Sequence, residues 1–361
     1  MRARKVLAAV LALTMGMTVL SACDSSAAGT TAAPANKETS KTETSGSAGK
    51  ADQYPDRDIN GDIIYGAGGG TDLISRAMGA ALNEVLDVSV IMDNKAGGSG
   101  VVGTEYVLSQ EANGYDICFH SEAITMFQPM ELSEAKIDDF SELMLYGSGA
   151  GVLLVSKDSP YQTIEDLIAY AKEHPKELNI GNTGATGCPT IYCTMMQKIL
   201  GVEFNYVNYD GDGEAMTALM GNQIDLFIPV NFTAQPYVES GDLRPLLVFH
   251  DEKVNGFEDV KLATELDAQF QDYLPYGPFF GAAVSAKTDP EIVKFLMEKF
   301  AAAYDTGSFQ NYLTSANIIP TKYVGEEAAA YMKDAQAKVW TLLYEAGTTS
   351  LNPADYGVVM E

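Results

Sequence analysis

The sequence predicts an α/β fold of two lobes, the second inserted into the first and joined to it by two crossover strands, with a ligand cleft between them. Three observations point there. Strands and helices alternate repeatedly, which implies helix-covered, mainly parallel sheets. Two glycine-rich loops, at 65–72 and 182–187, each follow a short strand and open a helix. Two extended apolar stretches, Leu143–Val155 and Phe279–Val284, bracket the second lobe.

The chain opens with Arg2, Arg4 and Lys5, then a mainly apolar run from Val6 to Leu20, short for crossing a bilayer. Leu20-Ser21-Ala22-Cys23 closes the run and resembles a bacterial lipoprotein lipobox. That resemblance implies cleavage of a signal peptide, 1–22, and lipidation of Cys23; an ordinary secretory signal with a chance cysteine is the alternative. Residues 24–53 are almost all Ser, Thr, Ala, Gly, Lys and Glu and hold no aromatic residue. Such a stretch buries too little surface to offset its ordering entropy, so 23–53 reads as the lipidated Cys and a flexible tether. The expected location is extracytoplasmic, with a lipid anchor in the bacterial cell membrane.

From Tyr54 onward about 300 residues remain, enough for two domains. The expected division is 54–150 plus 275–361 for the first and 151–274 for the second. The formal charge of the 361-residue chain is −26, and removing the three positive charges of the signal peptide takes it to −29. That excess of acid excludes nucleic acid as a partner, which needs a basic footprint, and an electrostatic grip on anionic lipid. Besides Cys23 there are Cys118, Cys188 and Cys193. The spacings are neither a disulfide framework nor a zinc pattern, and buried thiols are expected, with a Cys188–Cys193 bridge as the open alternative.

In the first lobe Asp62–Tyr65 reads as a strand. Gly66-Ala67-Gly68-Gly69-Gly70 follows, with glycine at four of five positions, and then a helix over Asp72–Leu86. Leu73, Ala77, Ala81 and Val85 recur at four-residue spacing on it, with Ile74, Met78 and Leu82 beside them. Glycine lets a ligand approach the backbone, and the unpaired N–H groups of a helix N-terminus favour an anion there. Val88–Met92 and Tyr115–His120 read as strands, with a helix over Thr104–Gln110. The loops 66–71, 94–103 and 121–125 fall outside the carboxyl ends of these strands, where ligands of such sheets bind.

In the second lobe Ile164–Glu173 reads as a helix, Leu178–Gly181 as a strand, and Pro189 to about Leu200 as a helix with proline in its first turn. Asn182-Thr183-Gly184-Ala185-Thr186-Gly187 between them repeats the plan of the opening loop. Phe204–Tyr209 is a strand leading through Asp210-Gly211-Asp212-Gly213-Glu214 into a helix over 214–221. Gln223–Ile228 and Leu243–Phe249 are further strands. Helices from Pro290 to about Tyr304, over 308–316 and over 325–346 close the chain. Two lobes that offer glycine loops to a shared cleft have the plan of a hinged binding protein.

Other chemistries find little support. Gly98-Ser99-Gly100-Val101-Val102-Gly103 matches a dinucleotide loop, but the loop is long and an exported protein is poorly placed for such a cofactor. No P-loop follows any glycine run, and no cofactor is expected. Asn208-x-Asp210-x-Asp212-Gly213 resembles the start of a calcium loop, but its twelfth position is Leu219, so no metal is expected. The histidines are His120, His174 and His250. His120 beside Ser121 and Glu122 is a poor catalytic cluster, because adjacent strand residues face opposite ways. No catalytic residue is expected.

Gly66–Asp72, Asn94–Gly103, Asn113-Gly114-Tyr115, Tyr209–Ala215 with Leu219–Asp225, and Glu239–Leu246 resemble, in order and spacing, the substrate-binding proteins of tripartite tricarboxylate transporters, also called Bug receptors. The resemblance runs from Tyr54 to about Gly347. It implies a two-domain periplasmic-binding fold, type II-like, that closes on a small carboxylate and delivers it to a two-subunit membrane permease, with no chemistry on the ligand. It places the ligand between Tyr65–Asp72 and Asn182–Gly187.

The candidate ligand-binding residues are Tyr65, Ala67, Gly68, Gly69, Gly70, Thr71, Asp72, Ser121, Asn182, Thr183, Thr186, Gly187, Tyr209, Asp210, Gly211, Asp212 and Asn231, in a protein expected to act as a monomer. The chain departs from the family at Gly66, where proline is usual, at Thr190, where histidine is common, and at Asp210, where a basic residue is usual. With Asp212 and Glu214 the second-lobe loop is unusually acidic, so the distal part of the ligand is expected to be neutral or to carry an amine. The rival functions are a sensor partner for a membrane signalling receptor and an exported enzyme acting on a small acid.

Overall fold

The computed structural model describes residues 54–358; the signal stretch, Cys23 and the tether lie outside the described residues. In chain order the first lobe forms β1 (Ile59–Ile63), α1 (Gly70–Val85), β2 (Val90–Asn94), α2 (Val101–Ser109), β3 (Asp116–Ser121) and β4 (Phe140–Ser148). The second lobe follows with β5 (Gly151–Ser156), α3 (Ile164–Glu173), β6 (Asn179–Asn182), α4 (Cys188–Leu200), β7 (Asn205–Asn208) and α5 (Asp212–Met220). It continues through β8 (Leu226–Phe227), α6 (Asn231–Glu239), β9 (Leu243–Phe249) and α7 (Ala263–Leu266). The chain then returns with β10 (Phe279–Ser285), α8 (Pro290–Tyr304), α9 (Gly307–Ser315), β11 (Tyr323–Val324) and α10 (Glu326–Glu345).

Each lobe is built on one mixed sheet, of order β11-β4-β10-β3-β1-β2 in the first and β7-β6-β8-β5-β9 in the second. In the first, β1 runs parallel to β2 and β3, and β10 is antiparallel to β3 and β4. In the second, β6 is parallel to β7 and β8, and β5 is antiparallel to β8 and β9. The parallel part of each sheet aims its carboxyl ends, and the loops after β1, β3 and β6, at the other lobe.

Helix ends follow local chemistry. Thr163 caps α3 by accepting from the Asp166 N–H while Asp166 reaches back, and Asp289 caps α8 with Pro290 next in line. Gly201 ends α4 in the left-handed conformation that glycine takes without penalty.

Three expectations need correction. Leu73 does not face the core: it is 39% exposed, while Ala81 and the neighbouring Ile74, Met78 and Leu82 are buried, and Ala77 and Val85 are partly buried against the same core. Leu143–Val155 is not one strand. It breaks at Gly149-Ala150, where the chain passes between lobes and the Gly149 N–H donates to the Pro278 carbonyl at 2.9 Å. A Cβ on Gly149 would stand 2.3 Å from Val230, so no larger residue fits there. Phe279–Val284 lies wholly in the first sheet, between β3 and β4; the return crossing is the irregular segment before it. Helix α6 escapes a sequence reading because Pro236 stands inside it.

One apolar core packs α1, α8 and α9 on the first sheet through Ile74, Met78, Leu296, Phe300 and Phe309. Another runs from Met126 and Met332 in the first lobe to Ile191, Tyr192 and Met195 of α4 in the second, so the lobes share packed interior. A third lies under α5, around Met216, Leu219 and Phe227.

Candidate ligand-binding cleft

The opening glycine loop joins β1 to α1, and Gly69 caps α1 without a side-chain acceptor. The N–H groups of Gly70, Thr71 and Asp72 have no backbone acceptor, so the helix presents its positive end toward the cleft. Glycine at position 70 is a packing requirement, since a Cβ there would stand 2.7 Å from Val230 and 3.3 Å from Phe280. Opposite, the loop after β6 turns into α4 at Cys188. A Cβ on Gly187 would stand 2.1 Å from the Thr183 hydroxyl.

The lobes are shut on each other. The Thr186 hydroxyl donates to the Ser99 carbonyl at 2.6 Å and lies 3.0 Å from the Tyr65 hydroxyl. The Ser99 hydroxyl accepts from the Ala185 N–H at 3.0 Å, and the Gly66 N–H donates to the Asp210 carbonyl at 3.2 Å. Asn231 sits at the crossing: its amide accepts from the Ala150 N–H and donates to the Asn317 carbonyl.

Behind this latch is a small cavity, with about 50 Å³ open to the centres of water-sized molecules. Its walls include Tyr65, Gly69, Gly70, Thr71, Ser121, Glu122, Thr183, Gly187, Cys188, Gly211 and Asp212, with Val230 and Phe280 as apolar floor. No Lys, Arg or His lines it. Glu122 is 4% exposed; burial pushes its carboxyl up to about 7. The Cys188 thiol donates to its Oε1 at 3.2 Å, and its Oε2 has no partner. Burial raises Asp212 to about 6, against the opposing effect of the Gly70 N–H that points at it. Burial, with the nearby Glu122, also pushes the Cys188 thiol and the Tyr65 hydroxyl above their usual ranges.

Of the candidates named from sequence, Tyr65, Gly69, Gly70, Thr71, Ser121, Thr183, Gly187, Gly211 and Asp212 line this cavity. Ala67 and Gly68 are exposed at the lip. The Asp72 carboxylate is taken by Arg76 at 2.7 Å, by Asn94 and by the Gly68 N–H, which braces the loop. Asn182 lies one layer back, bonded to Asn208 and Thr190. Thr186 belongs to the latch and Asn231 to the crossing. Tyr209 and Asp210 face an outer hollow together with Ser99 and Gly184.

Glu122, Cys188 and Ser99 are the residues that sequence reasoning missed. Ser121-Glu122 at the end of β3 was the available signal for the first. Cys188 and Cys193 are both free thiols on α4, as Cys118 is on β3. Among the described residues no helix is long and apolar enough to cross a membrane.

The model of the tripartite tricarboxylate transporter family receptor matches residues 74–347. A protein of Cupriavidus necator known as the UPF0065 protein in the gbd 5′ region is 28% identical over 303 residues, covering 82% of this chain and 90% of its own. The structure of the periplasmic binding protein BugD superposes with a TM-score of 0.77 at 22% identity, over 82% of this chain and 99% of its own. An R. palustris protein, Rpa4515, solved with adipate, gives 0.75 at 23% identity, over 81% and 98%. These likenesses show that the two-lobed fold is that of periplasmic binding proteins. The length of the family match, across both lobes, shows that the chain belongs to the tripartite tricarboxylate transporter receptor family.

Proposed function

We propose that the protein is an extracytoplasmic solute-binding lipoprotein that captures a small carboxylate-bearing metabolite between its lobes and delivers it to a two-subunit permease without altering it. The observation that carries this reading is the pairing of the α1 N-terminus with the 183–187 loop across one mainly apolar cavity. The solved relative with adipate supports a carboxylate as the ligand. A micromolar receptor needs about −8 kcal/mol. One helix terminus gives an anion about 0.3–2 kcal/mol, so the Thr71 hydroxyl, the backbone donors and apolar closure must supply the rest.

The Arg-rich start, the apolar run and Cys23 support export and lipidation, and the tether supports movement above the membrane. Mass spectrometry of small molecules released from the denatured protein, followed by calorimetry with what is found, tests the receptor reading. Release of nothing and binding of no carboxylate would overturn it. Turnover of the bound molecule would favour an enzyme instead. Retention of a Cys23→Ala variant in the membrane fraction would overturn the anchor.

A further inference from the structure

The cavity is oddly charged for an anion receptor. Glu122 and Asp212 both reach it and no cationic side chain does. Two buried oxygens in its wall, Glu122 Oε2 and Ser121 Oγ, have no hydrogen-bond partner beyond each other, the Ser121 hydroxyl lying near enough to the carboxyl to favour its charged form; their residues are 4% and 1% exposed. A buried acceptor left unpaired costs free energy that a ligand donor would recover. A ligand dianion would instead meet two carboxyls in a medium of low dielectric.

We propose that Glu122 and Asp212 form an ammonium-binding pole, so that the cleft takes a small aminocarboxylate. Its carboxylate takes the Gly70 and Thr71 N–H groups, and its protonated amine takes Glu122 Oε2. This rests on the receptor reading above and names the ligand class for it. The cavity wall holds both groups such a molecule needs: the positive terminus of α1, and the Glu122 carboxyl beside the Cys188 thiol. Asp212 shares the cavity wall, with the Gly70 N–H pointing at its carboxyl. It occupies the anion position at the helix terminus, and a ligand carboxylate that takes Gly70 leaves Asp212 to face the amine.

The pole also sets the sign of the pH dependence. Glu122 is faced by Cys188 and Tyr192 of α4, by Tyr65 after β1, by Tyr276 of the return crossing, by His120 of β3 and by Asp212 of α5. An ammonium favours the ionised Glu122, so binding expels its proton and tightens as pH rises. A plain carboxylate favours the neutral acid, so its binding tightens as pH falls.

The test is calorimetry on the purified protein with matched pairs: L-aspartate and succinate, L-alanine and propionate, 4-aminobutyrate and butyrate. In at least one pair the amine-bearing member should bind tenfold or more tightly at neutral pH, with affinity rising between about pH 5.5 and pH 7.5. Glu122→Gln should erase that preference while melting no lower than the wild type. Equal or tighter binding of the des-amino member in every pair, or a preference that survives in Glu122→Gln, overturns the pole and leaves the receptor reading intact. No binding by any member, with nothing released on denaturation, overturns both.

Discussion

The Thr186 hydroxyl donates to the Ser99 carbonyl at 2.6 Å, tying the jaw loop of the second lobe to a loop of the first. Thr186 is fully buried and also stands 3.0 Å from the Tyr65 hydroxyl. Thr186→Val keeps its shape and leaves both partners without it, at a cost of about 1–3 kcal/mol to the closed form. Ligand affinity should fall about tenfold or more. Small-angle scattering of the ligand-free variant should show a larger radius of gyration than the wild type. Identical scattering and affinity would mean that closure does not depend on this contact.

Gly69 has an extended backbone that any residue adopts, and a Cβ there would stand 3.4–3.6 Å from Asp212, in ordinary contact. The branches of Gly69→Val would push the Asp212 loop away and cover the α1 terminus. The variant should fold, losing about 1 kcal/mol at the helix cap, and its affinity should drop well beyond tenfold. Calorimetry showing wild-type affinity would place the ligand elsewhere.

Stability of the ligand-free protein should fall as pH rises from about 4 to about 7. Glu122, pushed up to about 7, and Asp62, pushed up to about 6 by burial and by the charges of Asp116 and Asp93, bind protons more tightly folded than unfolded. The folded state therefore holds extra protons in that window, and the cost of their loss is complete above it. For Glu122 it is on the order of 3 kcal/mol. Melting curves of Glu122→Gln should lose the dependence above about pH 6 and keep, below it, the part due to Asp62 and to Asp212, which burial also raises to about 6. A wild-type melting temperature that climbs through this window would contradict the assignment.

His120 and Glu142 are paired at 2.9 Å inside the first sheet, both fully buried, and Glu142 Oε1 has no partner. Burial alone would lower the His120 pKa, but the Glu142 charge and hydrogen bond outweigh it and raise it. His120→Ala leaves a buried acid uncompensated and should cost about 3–5 kcal/mol in urea unfolding. The double variant His120→Leu with Glu142→Leu should cost far less. Equal losses in the two would show that packing, not the pair, is what matters.

The sequence reading succeeded where local chemistry decides the outcome. Pro290 after Asp289 starts α8 where expected, Thr163 starts α3, and the glycine loops at 66–70 and 182–187 stand at strand-to-helix turns. It failed where tertiary contacts decide. Periodicity on α1 holds for Ala81, Ile74, Met78 and Leu82 but not for Leu73, which lies at the apolar stripe's edge where only the sheet decides what is covered. The break at Gly149 depends on Val230 and Pro278, distant in the chain. Strand alternation argues against a cluster of His120, Ser121 and Glu122, yet β3 ends at Ser121 and a 3₁₀ turn begins at Glu122, whose side chain lines the cleft.

The atoms that shut the lobes are mostly not the atoms that would judge the ligand. Closure runs through Ser99, Ala185, Thr186 and the backbone of Gly66 and Asp210 at the rim. The charged wall is Glu122 with Cys188 and Asp212, deeper in. Under the proposed function, selectivity could be rewritten at a few inner positions while the contacts that join the lobes stay as they are, which would make this scaffold a starting point for sensors retuned to new small acids.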